Sequence, residues 1–218
     1  MSTRDKMLFC QILSSLFLPP DRDMVQQLGG QLYAFLEAQI RSWGEDPGIL
    51  NGFPAQDSPE MLLKDLEEEY DRLFSDTGTE RVPLVESFYK PWTSDPHCLL
   101  PFAAEKGFVM GDSAIHLSTL YQHCGLEVAE PVRGMPDHLI LELEFLAYLY
   151  QGAGDREVKM FIEHHLDWIP SLKENCARVH AHPVYRSLID ILDLFIRTEK
   201  ERMEKSCYGE KTVRSEIV

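Results

Sequence analysis

The chain has 218 residues, which at about 100–200 residues per domain fits one compact domain. With 44% hydrophobic and 26% charged residues, it has the composition of a globular protein with a sizeable core. Its 21 Lys and Arg against 36 Asp and Glu leave a net charge of −15. So acidic a surface repels phosphate backbones and anionic lipid heads, which argues against nucleic acid and membrane surfaces as partners. Cationic segments, or plain solubility, remain as what the charge serves.

Helical periodicity recurs along almost the whole chain. At the N-terminus, Arg4 and Lys6 precede an apolar stretch and resemble the start of a secretory leader. Asp5, Gln11, Ser14 and Ser15 interrupt that pattern, and no small-residue cleavage site follows. Phe9, Ile12, Leu13, Leu16 and Phe17 instead keep helical spacing, with Ser2 and Asp5 placed for a capping box. Val25, Leu28, Leu32, Phe35, Leu36, Ile40 and Trp43 predict a second helix, ended by Gly44 and Pro47. Residues 48–59 read as a loop. Ser58 and Pro59 then open a third helix carrying Leu62, Leu66, Tyr70, Leu73 and Phe74.

Residues 75–111 show no sustained period and contain Pro83, Pro91, Pro96 and Pro101. A connection of that length is either functional or an ordered crossover. Asp112 is expected to cap a helix through Leu117, Leu120, Tyr121 and Cys124 that Gly125 closes. After a Pro/Gly linker at 130–136 comes a helix at 137–150 that is apolar on nearly every side, and so belongs at the centre of the bundle. Val158, Phe161, Ile162, His165, Leu166 and Ile169 give the next, interrupted at Pro170 and resumed over 171–180. Val184, Leu188, Ile191, Leu192, Phe195 and Ile196 mark a last helix that fades after Thr198. The expected architecture is a single all-α bundle of about eight to ten helices with a long crossover loop. It comprises residues 1–200, with a hinge near 126–136, and a polar tail over 201–218.

Five scattered cysteines without a CxxC pair fit a reducing, cytoplasmic setting. No segment has the roughly 20 apolar residues of a membrane span. Phosphate-binding, dinucleotide, nucleophile-elbow and zincin motifs are absent. No Glu has a His three residues on, as di-iron bundles require. His116 and His123, about 10 Å apart along one helix, are too distant to share a zinc ion. No cofactor or metal is expected.

Two constellations remain. The first is Glu69-Tyr70-Asp71-Arg72-Leu73-Phe74 followed by Pro83-Leu84-Val85-Glu86-Ser87-Phe88-Tyr89. Tyr70, Leu73 and Phe74 share one helical face, which by default is core. The second is Gly134-Met135-Pro136-Asp137-His138 running into the apolar helix with Glu142. Asp137 reads as that helix's cap and His138 as incidental. Glu142 strains such a reading, because a carboxylate in so apolar a helix needs a cationic or hydrogen-bonding partner. Carboxylates beside exposed aromatics at a loop-to-helix junction would suit a peptide carrying arginines and an apolar stretch. A helical hydrolase or metal-dependent enzyme using Asp137, His138 and Glu142 is the competing reading.

In these motifs the chain resembles the TorD/DmsD/NarJ family of molybdoenzyme maturation chaperones. The likeness rests on E-Y-x-R-L-F with P-x-x-E-S-x-Y, on G-x-P-D-H-x-x-x-E-L-x-F, and on His165-Leu166-Asp167-Trp168 as an H-L-x-W element. It implies an all-helical, non-catalytic protein that binds the apo catalytic subunit of an anaerobic molybdopterin oxidoreductase, often through its twin-arginine signal peptide. Such a protein holds the subunit until cofactor insertion is complete. By position, the resemblance assigns peptide or partner contacts to Tyr70, Leu73, Phe74, Pro83, Glu86, Ser87, Tyr89, Pro136, Asp137, His138 and Glu142. It equally accommodates an assembly factor for a non-exported nitrate reductase subunit, and either a monomer or a domain-swapped dimer. Direct binding of a molybdenum cofactor or guanine nucleotide finds no phosphate-cradling loop. Ser75-Asp76-Thr77-Gly78 stands where many members carry a Gly-Pro turn after L-F, a departure from the family pattern at the start of the crossover. Over residues 57–80, nine acidic side chains oppose only Lys64 and Arg72, a local charge of −7. That concentration favours a steering field for a basic peptide, with affinity coming from an apolar groove.

Overall fold

Ten α-helices occur among the described residues of this computed structural model, which are 1–53, 58–75, 77–128 and 134–215, with side chains described to residue 205. There is no strand among them; Val85 and His138 form an isolated antiparallel bridge. Asp57, Asp76 and linker residues 130–133 lie outside the described residues.

Helix α1 (Thr3–Leu16) opens with the expected capping box: Asp5 N–H donates to Ser2 Oγ at 3.2 Å and Ser2 N–H to Asp5 Oδ2 at 3.0 Å. Its buried face packs along α7 (Leu139–Gly152). The Phe9 ring lies 4.8 Å from Phe195 and 5.3 Å from Trp43. The single helix expected after α1 is two, α2 (Arg22–Leu28) and α3 (Gln31–Ser42), because consecutive glycines at 29 and 30 interrupt it. A 3₁₀ turn (Pro47–Gly52) leads to α4 (Pro59–Leu73), with Pro59 in its first turn as expected.

The crossover is ordered, and its order comes from loop-to-loop hydrogen bonds that leave no periodic mark on the sequence. It contains one helical turn, α5 (Glu86–Tyr89). Beyond it the backbone N–H groups of Trp92, Thr93 and Gly107 donate to the carbonyls of Glu105, Ala103 and Phe88, each at 2.9 Å. Gly111 closes the segment where a Cβ would stand 2.5 Å from the Trp92 carbonyl oxygen, an approach open only to glycine. Gly111, and not Asp112, is therefore the N-cap of α6 (Asp112–His123). The Asp112 carboxylate turns back to accept from Thr93 Oγ1 and Ser94 N–H, both at 2.9 Å.

Helix α7 is the buried centre its composition predicts. The next break falls at 166–168, between α8 (Asp155–His165) and α9 (Ile169–Arg178). Pro170 thus sits in the first turn of α9, where its missing N–H is harmless. Helix α10 (Pro183–Ser215) runs well past Thr198. The apolar period fades there because a buried ion pair replaces it: Lys6 Nζ lies 2.8 Å from Glu199 Oε2, which also accepts from Tyr150 Oη at 2.9 Å. No described helix is long and apolar enough to cross a membrane.

Candidate functional site

Short backbone bonds staple the two sequence constellations together. Leu139 N–H donates to the Leu84 carbonyl at 2.8 Å and Glu86 N–H to the Asp137 carbonyl at 2.9 Å. Asp137 Oδ2 accepts from Ser87 N–H at 2.8 Å. Helix α5 has no side-chain cap of its own, so Asp137 supplies one from fifty positions away. The roles expected at the second motif are thereby exchanged. His138 is the N-cap of α7, its Nδ1 accepting from Ile140 N–H at 3.3 Å, while Asp137 caps the crossover turn. Tyr121 Oη fixes the approach by donating to the Pro136 carbonyl at 2.9 Å.

Behind the staple lies a buried charge network. Glu86 and Glu142 are both fully buried. Glu86 Oε2 lies 2.9 Å from His165 Nδ1, and His165 Nε2 lies 2.7 Å from Nδ1 of the exposed His116, whose ring stacks on it. Lys90 Nζ stands 2.6 Å from Glu86 Oε1 and 2.6 Å from Asp167 Oδ1, and donates to the His164 carbonyl at 2.7 Å. Burial pushes the Glu86 carboxyl up, but the His165 hydrogen bond and the charges of His165 and Lys90 outweigh it, and its pKa is lowered. Glu142 goes the other way. Burial, then the neighbouring Glu86 charge, hold its pKa well above the ordinary 4.5, so it stands beside Glu86 as a neutral acid. Glu86 Oε1 is met by Lys90, whereas Glu142 Oε1 has no hydrogen-bond donor among the described residues, as suits a carboxyl whose pKa is raised. Trp168 Nε1 donates to Glu142 Oε2 at 3.1 Å, and the Trp168 ring stacks on Tyr89 at 5.0 Å. Burial likewise raises the Asp137 pKa and lowers that of His138 to about 4.

Pro83, Glu86, Ser87, Tyr89, Pro136, Asp137 and Glu142 are therefore buried in one constellation, with His138 half-buried at its edge. The carboxyls of Asp137 and Glu142 do not stand beside exposed aromatics, as the sequence had led us to expect; they are closed off from solvent. Tyr70, Leu73 and Phe74 form a second group. Leu73 is fully buried, the Phe74 ring lies 5.1 Å from Tyr185, and Tyr70 Oη donates to the Phe17 carbonyl at 3.3 Å. The groups join through the main chain, where Val82 N–H donates to the Leu73 carbonyl at 2.7 Å. Sequence reasoning missed Lys90 and gave no role to His165 or Trp168. The four-residue step from Glu86 to Lys90 was a legible signal, though only for a helix that the aperiodic crossover did not announce.

The acidic stretch at 57–80 is partly paired. Arg72 holds Glu69 at 2.8 Å and also contacts Glu80, and the His182 N–H donates to Glu69 at 2.6 Å. Glu60, Asp65, Glu67, Glu68 and Asp71 remain exposed along α4. Among the described residues, no group of three His, Cys, Asp or Glu side chains is placed to hold a metal ion.

The bundle's charged interior thus locks the crossover onto a central helix, and the histidine of the second motif is engaged as a helix cap. A sequence model of the family described as "Nitrate reductase delta subunit" matches residues 23–174, and the chain belongs to that family, the TorD/NarJ group its motifs resemble. It is similar to the "Chaperone protein TorD" of Vibrio cholerae serotype O1 strain M66-2, with 26% identity over 209 residues covering 88% of this chain and 89% of the relative. Against the protein of the same name from Vibrio parahaemolyticus, identity is 24% over 186 residues, covering 78% and 83%. The family and these relatives are chaperones, not enzymes.

Proposed function

We propose that this protein is a cytoplasmic maturation chaperone for the catalytic subunit of an anaerobic molybdopterin oxidoreductase. It engages the apo subunit through a twin-arginine signal peptide and holds it until the cofactor is inserted. The observation that carries this reading is the similarity to proteins named Chaperone protein TorD along nearly nine-tenths of the chain, across both motifs and the crossover between them. The exposed carboxylates of α4 support it as a field that draws in a basic segment. The buried residues of the two motifs then act as the frame that fixes the crossover, and contact with the peptide falls to the surface this frame presents. Calorimetry at low ionic strength with the full chain and a twin-arginine peptide tests the reading, together with co-purification of the apo subunit. Salt-sensitive binding of both is the expected result, and failure to retain either overturns it.

The family's description as a nitrate reductase delta subunit is the ground for a second reading, in which the chain is an assembly factor for a nitrate reductase subunit that is not exported. In that case a catalytic subunit without any leader is retained as firmly as one that carries it.

A further inference from the structure

The two carboxylates that the sequence offered to an arginine, Asp137 and Glu142, are buried, but a groove on the outer face of α7 sets Glu144 of that helix with Glu127 of the segment after α6. Leu141, Glu144, Phe145 and Tyr148 recur at i, i+3, i+4 and i+7 on α7 and form one wall of a groove. Tyr121 of α6 and the segment Leu126, Glu127 and Val128 form the other. Gly125, at φ +68, makes the left-handed turn that folds this segment back, and Leu126 N–H donates to the Tyr121 carbonyl at 2.9 Å.

The groove encloses about 160 Å³, close to the roughly 150 Å³ of an apolar cavity that takes a benzene ring. It therefore admits one large side chain and not a helix. Its floor is aromatic: Phe145 and Tyr148 stack at 5.7 Å with rings 21° apart, and Tyr121 meets Phe145 edge-on at 5.1 Å. Tyr148 and Leu126 remain 39% and 36% exposed, so the site is open to solvent. Both of its charged members are acids. Glu127 and Glu144 are exposed, no described residue brings a cation to either, and Glu144 has only a 3.3 Å hydrogen bond from Ser14 Oγ.

We infer that this groove is the recognition site for an arginine-bearing peptide segment, one arginine meeting Glu127 and Glu144 over the Tyr148 ring while a neighbouring apolar side chain fills the floor. The inference rests on the proposed chaperone reading and locates its peptide contact. Charge complementarity and shape select this occupant. A guanidinium is planar, satisfies carboxylates through a fork of donors and stacks on an aromatic face, whereas a lysine ammonium offers only a point charge. Tyr121 links the groove to the motif constellation, since it lines the one and bonds to the Pro136 carbonyl of the other.

The test is fluorescence anisotropy at low ionic strength, titrating the full chain into a labelled peptide that carries an arginine pair followed by an apolar run. A second peptide has both arginines replaced by lysine. We expect the Glu127→Gln/Glu144→Gln variant and the Tyr148→Ala variant each to bind the arginine peptide about tenfold more weakly per folded molecule. The double variant should keep its melting temperature because both glutamates are exposed, whereas Tyr148→Ala also loses the stacking on Phe145. The lysine peptide should bind wild type about tenfold more weakly, yet bind the double variant with almost no further loss, since the partners are already gone. Folded variants that bind the arginine peptide as wild type does overturn the groove and leave the chaperone reading standing. No binding by wild type itself overturns both the groove and the signal-peptide contact.

Discussion

Asp137 Oδ2 accepts the backbone N–H of Ser87 at 2.8 Å, and the carbonyl of the same Asp137 accepts Glu86 N–H at 2.9 Å. One fully buried residue thus holds the first turn of α5 by both its side chain and its main chain. Asp137→Ala is expected to leave that amide without its acceptor and to lower stability by about 1–3 kcal/mol. Asp137→Asn keeps an acceptor while burying no charge and should stay within about 1 kcal/mol of wild type. Urea unfolding separates the two. Equal losses for Ala and Asn would show that the charge, and not the bond, is what matters.

Glu142 makes stability fall as pH rises. Its folded pKa is raised above the ordinary 4.5, so between those values the folded state binds more protons than the unfolded state. Its contribution is complete below 4.5 and is lost as pH climbs through the folded value. Glu142→Gln imitates the neutral acid toward both Trp168 and Glu86. The variant should melt higher than wild type at pH 8, with the difference shrinking toward pH 5. A variant that melts lower than wild type at pH 8 would mean that Glu142 is ionised in the fold.

His138 acts with the opposite sign. Burial lowers its folded pKa from 6.5 to about 4, so its contribution is complete above 6.5 and is lost as pH falls toward 4. His138→Asn, which keeps an N-cap acceptor, should flatten stability over that interval. His138→Ala should cost about 1 kcal/mol at pH 7 by removing the cap. Thermal midpoints across the pH range check both, and an unaltered acid limb in His138→Asn would remove His138 as its source.

Lys90 is the cation that faces Glu86 and Asp167 together. Lys90→Met leaves a fully buried carboxylate with His165 alone and should destabilise the protein by about 3 kcal/mol. Adding Glu86→Gln should restore much of that loss, because the unpaired charge is then gone. Additive losses in the double variant would show that the two residues act independently.

Several of these roles had a sequence signal, and others had none. The Ser2–Asp5 capping box, the buried α7 and the Pro59 start of α4 follow from local patterns that persist in the fold. Two adjacent glycines were the available sign that α2 and α3 are separate. The extension of α10 was hidden because Glu199, a charged residue, occupies a core position by pairing with Lys6. At the site, Glu142 was marked as needing a partner, but no local pattern names Trp168, twenty-six positions away, or a second carboxyl as that partner.

Composition alone sets the −15 charge, and the order of residues sets the helical periods and the two motifs, which suffice for the fold class and the family. Which carboxylates meet solvent was decided only by the tertiary structure. Asp137 and Glu142 lie near the start of the same helix as Glu144, yet the first two face the crossover and Glu144 faces outward over an aromatic floor. In so apolar a helix, periodicity cannot tell one face from another. Packing against the crossover and the turn at 166–168 makes that choice, because each buried carboxyl requires a donor: Ser87 N–H supplies one to Asp137 and the Trp168 indole one to Glu142.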